Sequence, residues 1–345
     1  MHFMEKLLYF IFVVLTYVKH RNKLISYSRF YKQKYKRSSG YFLFMAYIYA
    51  LKYSMHPLYY FYTDAYGDKE FDPNEHANSL FTYNFQKRLN NKAFIKYFSD
   101  KRLFNKYFKS YMCHKFLNLK NITLEELREW IDNIEGNSLM LKKANGLGGL
   151  GIKKIDIHKD KGVIYFNNKE LKDAFISIKK HDILEEFVVQ HEQINRLNPS
   201  CLNTVRIVTV IDKNNNVNII GAVLRLGVEN DVDNLSAGGI AVNIDINTGC
   251  LTGEGFKLAQ SEPSTFFKHP ITQVVLDAYS LPHWELLINT VKKAAKVFPQ
   301  VRTIGWDLAI TADGVDFIEG NHDWGIFLIE KALKRGIRKE LEKYL

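Results

Sequence analysis

Near the end of the chain, apolar residues twice follow the period of a β-strand. They occupy every second position over residues 304–310, and a second apolar run follows at residues 315–318. Alternation of this kind is typical of half-buried strands, and the Asp-Gly pair between the runs is a turn signal. The pattern predicts a β-hairpin. With a three-residue loop at 312–314, Asp307 lies opposite Glu319.

Three oxygen-bearing side chains share one face of this predicted hairpin. The Cβ atoms of directly opposed residues on paired strands lie about 5 Å apart, so we expect this separation between Asp307 and Glu319. Asn321 follows two residues after Glu319 and therefore lies on the same face. Two carboxylates this close repel each other unless a cation or a proton lies between them. Because oxygen ligands suit Mg²⁺ bound together with phosphates, the sequence predicts a magnesium site. Ordinary surface acids are the alternative, and His322 is either an acid–base group or a structural residue.

A second strand–turn–strand pattern surrounds the most glycine-rich part of the chain. An apolar stretch leads to Lys142, glycines crowd residues 146–151, and apolar residues resume at 152–157. Glycines let backbone N–H groups approach phosphate oxygens closely. A P-loop or a Rossmann turn would open a helix, whereas a strand is favoured here. We interpret the segment as a phosphate-binding glycine loop, with a plain glycine-rich hairpin as the alternative.

The first third of the chain is predicted to be largely helical. Residues 1–60 form an aromatic and basic helical region, and residues 61–135 form an α/β or helical subdomain. Two helices are predicted in the second part, at residues 94–117 and 124–134. The second of these begins behind a capping box at Thr123–Glu126.

From residue 136 onward, strands dominate the pattern. Residues 136–190 contain the glycine loop, and residues 191–345 contain the late hairpin. The second part also contains three predicted strands and two predicted helices: strands 205–211, 217–226 and 241–246, a helix at 284–297, and a charged helix at the C-terminus.

Composition narrows the class of protein. The 345 residues are 46% hydrophobic, which is enough for a large core and more than one domain. Cys113, Cys201 and Cys250 are widely separated, so neither a disulfide framework nor a zinc site is expected, and a cytoplasmic location is inferred. The net charge of +11 favours anionic partners such as nucleotide, acidic glycan or lipid. No nucleic-acid-binding motif is visible, so no nucleic acid is expected.

The N-terminus combines an apolar run with a basic one. Residues 7–18 are apolar, and lysines and arginines crowd residues 19–37. The apolar run is shorter than the roughly 20 residues of a membrane span and has no signal-peptide ending. Two interpretations stay open. Residues 1–37 lie on the inner face of an anionic plasma membrane, or the helix is buried against the aromatic segment 41–51.

Together, the glycine loop and the late acidic residues resemble the ATP-grasp superfamily, and most closely its sugar-transfer-associated family. The string most specific to that family is Pro-Ser-Cys-Leu-Asn-Thr-Val-Arg-Ile-Val-Thr at residues 199–209. The resemblance covers roughly residues 60–330. It implies an α+β ATP-grasp fold with an N-terminal helical extension, and a nucleotide held between two α+β subdomains, residues 136–190 and 191–345. Proteins of this family are encoded near genes for capsule and other surface polysaccharides.

The resemblance assigns the phosphate contacts of ATP. It implies that Lys142 contacts the phosphates and that Gly148, Gly149 and Gly151 form the flap over them. Lys143 stands where the superfamily often has proline, so either lysine is a candidate for this contact.

Further nucleotide contacts follow from the same resemblance. Lys101 is expected at a phosphate or at adenine, Arg206 near the terminal phosphate, and Glu192 at the ribose hydroxyls. A surface charge is the alternative for the two basic residues. The adenine hinge is expected at four consecutive residues: Glu185, Glu186, Phe187 and Val188.

The resemblance also assigns the metal ligands and the acceptor side. Asp307, Glu319 and Asn321 map onto the magnesium ligands. Asp233 and Asn234 are expected to position the acceptor. Arg225 is expected to hold its carboxylate or phosphate, with surface turn residues as the alternative.

The activity implied is that of an ATP- and Mg²⁺-dependent ligase that joins a carboxylate to an amine through an acylphosphate. Arg206, Lys142 and Arg225 are its expected catalytic residues, and its substrates are small-molecule or glycan-linked carboxylates and amines of a sugar or surface-polysaccharide precursor. Two alternatives remain: a phosphotransferase that acts on a sugar hydroxyl, and a non-catalytic nucleotide-binding scaffold.

Overall fold

The protein is built of two antiparallel sheets, helices packed around them, and a separate group of helices at the N-terminus. The computed structural model describes residues 3–146, 151–228, 233–235, 238–258 and 263–345. Its helices are α1 (Phe3–Lys19), α2 (Arg21–Tyr35), α3 (Ser39–Tyr53), α4 (Tyr59–Tyr62), α5 (Ser79–Leu89), α6 (Lys96–Ser99), α7 (Lys101–Phe108), α8 (Leu124–Asp132), α9 (Leu171–Ile178), α10 (Glu192–Leu197), α11 (Trp284–Ala295), α12 (Ile326–Leu333) and α13 (Arg338–Glu342), with a 3₁₀ turn at Lys109–Tyr111. Its strands are β1 (Phe116–Asn118), β2 (Ser138–Lys142), β3 (Lys153–Asp160), β4 (Val163–Phe166), β5 (Lys169–Glu170), β6 (Ile183–Glu186), β7 (Thr204–Ile211), β8 (Val217–Leu226), β9 (Ile240–Ile244), β10 (Leu251–Leu258), β11 (Pro263–Phe266), β12 (Thr303–Thr311) and β13 (Gly314–Asn321). The predicted α+β class is confirmed.

The smaller sheet contains the two strands that flank the glycine loop. Its order is β1-β6-β2-β3-β4-β5, and β2 pairs antiparallel with β3. Helices α8 and α9 cover its apolar face through residues such as Leu127 and Ile178. The predicted capping box at the start of α8 is present. The strand–loop–strand pattern is therefore confirmed, although Gly148 and Gly149 lie outside the described residues.

The larger sheet is covered on both faces. Its order is β11-β10-β9-β8-β7-β12-β13. One face packs on α6, α7 and α11, through Phe104 and Leu287 among others, and the opposite face packs on α5 and α12, through Phe85 and Ile329. Every residue of β12 is consequently buried, including Asp307.

The late hairpin has the predicted pairing of Asp307 with Glu319, but it reaches that pairing by a different route. The predicted three-residue loop is wrong, because Thr311 pairs with Gly314 across a two-residue turn. A bulge at Ile318 then shifts the register by one residue between Leu308 and Asp307. Turn and bulge offset each other, so the two carboxylates still face each other.

The predicted single helix over residues 94–117 is wrong. Asp100 adopts an extended conformation, and its side chain accepts a hydrogen bond from the backbone N–H of Arg102, which caps a new helix, α7. Residues 109–111 form a 3₁₀ turn, and Phe116 already begins β1, which pairs with β6. The chain turns here because an aspartate side chain satisfies free N–H groups at a helix start.

The N-terminal helices form an aromatic cluster of their own. Tyr27, Phe42 and Phe61 are fully buried in it, and Phe327 of α12 stacks on Tyr59 with ring centroids 4.6 Å apart, which joins the cluster to the body. Within the described residues, no helix combines the length and the apolarity needed to cross a membrane.

Candidate active site

A cleft of about 390 Å³ lies between the two sheets. Its wall includes residues from β2 and β6 of the smaller sheet and from β7, β8, β12 and β13 of the larger one. Most of the site residues predicted from the sequence line it: Lys101, Lys142, Glu185, Glu186, Phe187, Val188, Arg225, Asp233, Asn234, Asp307 and Glu319. The fold thus brings to one place side chains that are up to 218 positions apart in the sequence.

The three predicted metal ligands lie together on the late hairpin. The Asn321 Nδ2 atom is 3.2 Å from Glu319 Oε1 and 3.5 Å from Asp307 Oδ2. The described residues contain no cluster of three His, Cys, Asp or Glu that could hold a metal ion. Two carboxylates, joined by an amide oxygen once the Asn321 side chain turns its oxygen toward them, nevertheless fit Mg²⁺, because this ion usually takes a few protein oxygens and leaves other positions to water and substrate phosphates.

Asp307 is the most tightly held member of this trio. Arg206 lies opposite it on β7 and donates from Nε to Oδ1 and from Nη2 to Oδ2, the latter over 2.8 Å, while Arg225 Nη2 lies 3.1 Å from Oδ2. Burial alone would raise the pKa of Asp307, but the two guanidinium groups hold it well below its usual range. Asp307 is therefore an anion at neutral pH, and both arginines are fixed beside the predicted metal position.

Arg225 also connects the hairpin to the predicted acceptor loop. Its Nε donates to the Thr204 hydroxyl over 3.0 Å and lies 3.5 Å from Asp233 Oδ2. The backbone N–H of Thr204 donates to the same Asp233 oxygen over 2.9 Å. Burial raises the pKa of Asp233, against the opposing effect of Arg225. Asp233 thus points into the protein at the cleft wall and is not an exposed turn residue.

Lys142 is buried at the end of β2 and forms an ion pair with Glu185 of β6. Burial alone would raise the pKa of Glu185, but Lys142 and His114 hold it well below its usual range. Lys143 points the other way and donates to the carbonyl oxygen of Lys180. Of the two lysines that the sequence left open, the structure places Lys142 in the cleft.

Lys101 connects the glycine loop to the metal trio. Its Nζ donates to the Gly146 carbonyl oxygen over 2.9 Å and lies 3.2 Å from Glu319 Oε2. Lys101 is the first residue of α7, directly after the capping Asp100. The chain therefore starts a new helix at this position, and the side chain of Lys101 lies at the cleft. Gly151, at the other end of the loop, has a φ of +80°, a conformation that favours glycine.

Glu192 lies outside the cleft, and the structure does not decide between the two roles predicted for His322. Glu192 is not among the residues that line the cleft; its side chain is 76% exposed and accepts from Arg196 over 2.5 Å, so the structure does not bring it to the site. His322 Nδ1 lies 3.1 Å from Asp323 Oδ1, and its role stays a prediction.

The sequence model of a family described as sugar-transfer associated ATP-grasp matches residues 80–344. The chain belongs to this ATP-grasp family. The match begins after the N-terminal helices α1 to α4, which are outside it. No curated protein matches the chain.

Solved structures similar to this ATP-grasp protein include two synthetases and a ligase. D-alanyl-alanine synthetase A from Vibrio cholerae is 14% identical over 72% of this chain and 64% of its own, with a TM-score of 0.42. The ATP-grasp ligase PsnB, in complex with a phosphomimetic variant of its minimal precursor, Mg and ADP, is 12% identical over 76% of this chain and 63% of its own, with a TM-score of 0.41. The ADP complex of purK, N5-carboxyaminoimidazole ribonucleotide synthetase, is 13% identical over 65% of this chain and 45% of its own, with a TM-score of 0.37. In each case the chain covers less than two thirds of the other protein.

The ATP-grasp site also contains residues that sequence reasoning missed. Asn105 Nδ2 donates to Glu185 Oε1 over 2.7 Å, and His114 Nδ1 lies 2.8 Å from Asp316 Oδ2. His114 Nε2 is 3.6 Å from Glu185 Oε2, an ion-pair separation that is too long for a hydrogen bond. A buried chain of charges therefore runs from Lys142 through Glu185 and His114 to the hairpin. No sequence signal identifies it, because its members come from distant segments.

Proposed function

We propose that this ATP-grasp protein is a ligase that uses ATP and Mg²⁺ to join a carboxylate to an amine through an acylphosphate. One observation carries the proposal: the cations Lys101, Lys142 and Arg225 and the carboxylates Asp307 and Glu319 line a single cleft between the sheets. Phosphoryl transfer needs chiefly positioning and charge stabilisation, so such a set is sufficient without a nucleophilic side chain.

Each group has a separate part in this reaction. Asp307, Glu319 and Asn321 would hold Mg²⁺, which offsets phosphate charge when bound. Lys142 and Lys101 bind phosphate oxygens, and Arg206 and Arg225 stabilise the charge that develops at the γ-phosphate. An oxygen of the substrate carboxylate attacks the γ-phosphorus and ADP leaves. The amine nitrogen then attacks the acyl carbon, phosphate leaves, and the amine gives up a proton.

The remaining lining suits the two organic groups. Residues 185–188, the proposed adenine hinge, line the cleft together with the apolar Met140 and Ile152, and apolar lining of this kind suits a base. Asp233 and Asn234 line the same cleft and are proposed to position the acceptor. The family description, sugar-transfer associated, supports a sugar-containing substrate. We propose a sugar or surface-polysaccharide precursor, with the carboxylate and amine on small molecules or a glycan.

Hydroxylamine trapping tests the reaction type. With ATP, Mg²⁺ and a panel of glycan and sugar acids, hydroxylamine should intercept an acylphosphate and give a hydroxamate together with ADP. ADP release with a stable phosphorylated sugar and no hydroxamate would show a phosphotransferase instead. Nucleotide binding without any turnover across the panel would favour the scaffold.

The variant Glu319→Gln tests the metal assignment. Replacing one carboxylate oxygen by an amide nitrogen removes the negative charge but keeps the shape of the side chain. Hydroxamate formation should therefore fall by a factor of about 100 or more, while the melting temperature stays near that of the wild type. A fully active Glu319→Gln protein would overturn the metal assignment.

A further inference from the structure

The described side chains of the N-terminal helix α1, from residue 9 onward, form one buried face and one exposed face, and the exposed face is apolar. Tyr9 and Val13 pack on Ala50 of α3, and the Tyr17 hydroxyl donates to the Leu43 carbonyl oxygen over 3.0 Å. From residue 10 to residue 19, seven residues are exposed and six of them are hydrophobic: Phe10, Ile11, Phe12, Val14, Leu15 and Val18. Within residues 9–19, packing on α3 therefore covers only one side of this helix.

The exposed apolar surface continues onto α3. Phe44 is 61% exposed and Ile48 is 37% exposed, and an open groove of about 420 Å³ runs between the two helices. Its lining consists of Val14, Tyr17, Val18, Leu43, Phe44 and Tyr47. We call this surface the N-terminal apolar face, consisting of the six exposed residues of α1 with Phe44 and Ile48. A continuous apolar patch of this kind marks an interaction site rather than scattered surface residues.

Positive charge is concentrated in the same segment of the chain and borders the apolar face at the end of α1. Residues 1–63 contain ten Lys and Arg against one acidic residue, Glu5, so this segment carries nine of the eleven net positive charges of the chain. Lys19 directly follows Val18, and Arg21 begins the next helix; both are exposed. A second copy of this chain would bring the same cationic surface against itself, whereas a surface of anionic lipid complements it.

We propose that the N-terminal apolar face lies on an anionic membrane surface, with its apolar side chains among the acyl chains and Lys19 and Arg21 at the lipid phosphates. An apolar helix face bordered by lysine and arginine is the arrangement that binds in the plane of a membrane interface. This surface lies outside residues 80–344, which match the family, so its binding is separable from the chemistry of the cleft. Attached there, the ATP site would act on substrate at the membrane surface.

Vesicle flotation of the full chain tests the proposal. The wild type should float with vesicles of equal parts phosphatidylcholine and phosphatidylglycerol, and much less with phosphatidylcholine alone. The triple variant Leu15→Glu, Val18→Glu, Phe44→Glu should lower the bound fraction at least tenfold. The pair Lys19→Glu, Arg21→Glu should lower the partition coefficient onto the vesicles by about fivefold or more for each residue replaced, and only with the anionic vesicles.

The control is Ile176→Glu, which alters an exposed apolar side chain on α9 of the smaller sheet, 75% exposed, and should float like the wild type. Because every substituted side chain is exposed, the variants should unfold at the temperature of the wild type. Wild-type protein that stays at the bottom with the anionic vesicles would overturn the proposal. So would a triple variant that floats unchanged, or sedimentation showing a dimer that only the triple variant dissociates.

Discussion

At the residue scale, the cleft holds its cations in place before any ligand binds. Glu185 positions Lys142, Asp307 positions Arg206 and Arg225, and Glu319 lies 3.2 Å from Lys101. A charge that is fixed in a buried position costs little reorganisation when a phosphate arrives. Asp307 and Glu319 are therefore both predicted metal ligands and supports for the basic residues, whereas Glu185 supports Lys142 alone.

Lys142 and Lys143 form a matched pair for testing the phosphate contact. Lys142→Gln should weaken ATP binding by about tenfold or more, because a charge-assisted hydrogen bond contributes about 1.5 to 3 kcal/mol. Lys143→Gln should change the affinity by less than about twofold, because this side chain points to the Lys180 carbonyl outside the cleft. Titration calorimetry with ATP measures both, and a larger loss for Lys143→Gln would move the contact by one residue.

His114 should make the stability of the fold depend on pH. Burial alone would lower its pKa, but the hydrogen bond and charge of Asp316 and the charge of Glu185 raise the pKa of His114 to about 9. The protonated ring stabilises the folded state fully below pH 6.5, and this contribution is lost as the pH rises through about 9. A rise of the pKa from 6.5 to about 9 corresponds to a contribution of about 3 kcal/mol.

Urea unfolding of the wild type and of His114→Gln, at a series of pH values between 6.5 and about 9, checks this. The free energy of unfolding of the wild type should fall across this range, and that of His114→Gln should fall less. His158→Gln, on the exposed side of β3, should keep the slope of the wild type. Equal slopes for the wild type and His114→Gln would contradict the role given to this ring.

At the element scale, the position of α7 depends on its packing against the hairpin. A Cβ atom at Gly320 of β13 would lie 2.9 Å from Phe98 Cδ1 and 3.1 Å from Phe104 Cε2. Phe104 belongs to α7, the helix that begins at Lys101. The absence of a side chain at Gly320 therefore lets α6 and α7 approach β13 closely enough for Lys101 to reach Glu319.

Gly320→Ala should consequently destabilise the protein and weaken ATP binding together. Overpacking of a buried contact costs about 1 to 3 kcal/mol. The control is Gly136→Ala, where a Cβ atom would have nothing within 4 Å, and it should change the free energy of unfolding by less than about 0.5 kcal/mol. Urea unfolding measures both variants. A Gly320→Ala protein as stable as the control would show that α7 has room to move.

The elements also show which predictions depend on local signals. The capping box at Thr123 and Glu126 was predictable because both partners lie within one helical turn. The break at Asp100 carries an equally local signal, an aspartate followed by a helix start, which the predicted single helix over residues 94–117 overlooked. The pairing of β1 with β6 could not be predicted, because it joins residues 116–118 to residues 183–185.

At the scale of the whole molecule, two sheets that are formed by different segments of the chain line one site. A ligand that contacts both should therefore stabilise the entire body rather than one sheet. The N-terminal helices are attached to the same body through the stacking of Phe327 on Tyr59.

ATP with Mg²⁺ should accordingly raise the melting temperature of the wild type. A ligand at a hundred times its Kd stabilises the folded state by about 2.7 kcal/mol, which is a rise of a few degrees. Scanning fluorimetry should show a smaller rise for ATP with a chelator, and Glu319→Gln should lose the part that depends on the metal. An unchanged melting temperature with saturating Mg²⁺ and ATP would contradict a formed site.

By itself, the sequence determined the family, the α+β class, the strands around the glycine loop and the pairing of Asp307 with Glu319. These follow from motifs and periodicities that act over a few residues, although the turn and the bulge that set the pairing were not visible. Only the tertiary structure decided that Lys142 and not Lys143 faces the cleft, that Arg206 and Arg225 hold Asp307, and that His114 joins Glu185 to Asp316. Contacts of this kind join segments as far as 202 residues apart, and only strand pairing within the larger sheet and packing of the two sheets bring these segments together.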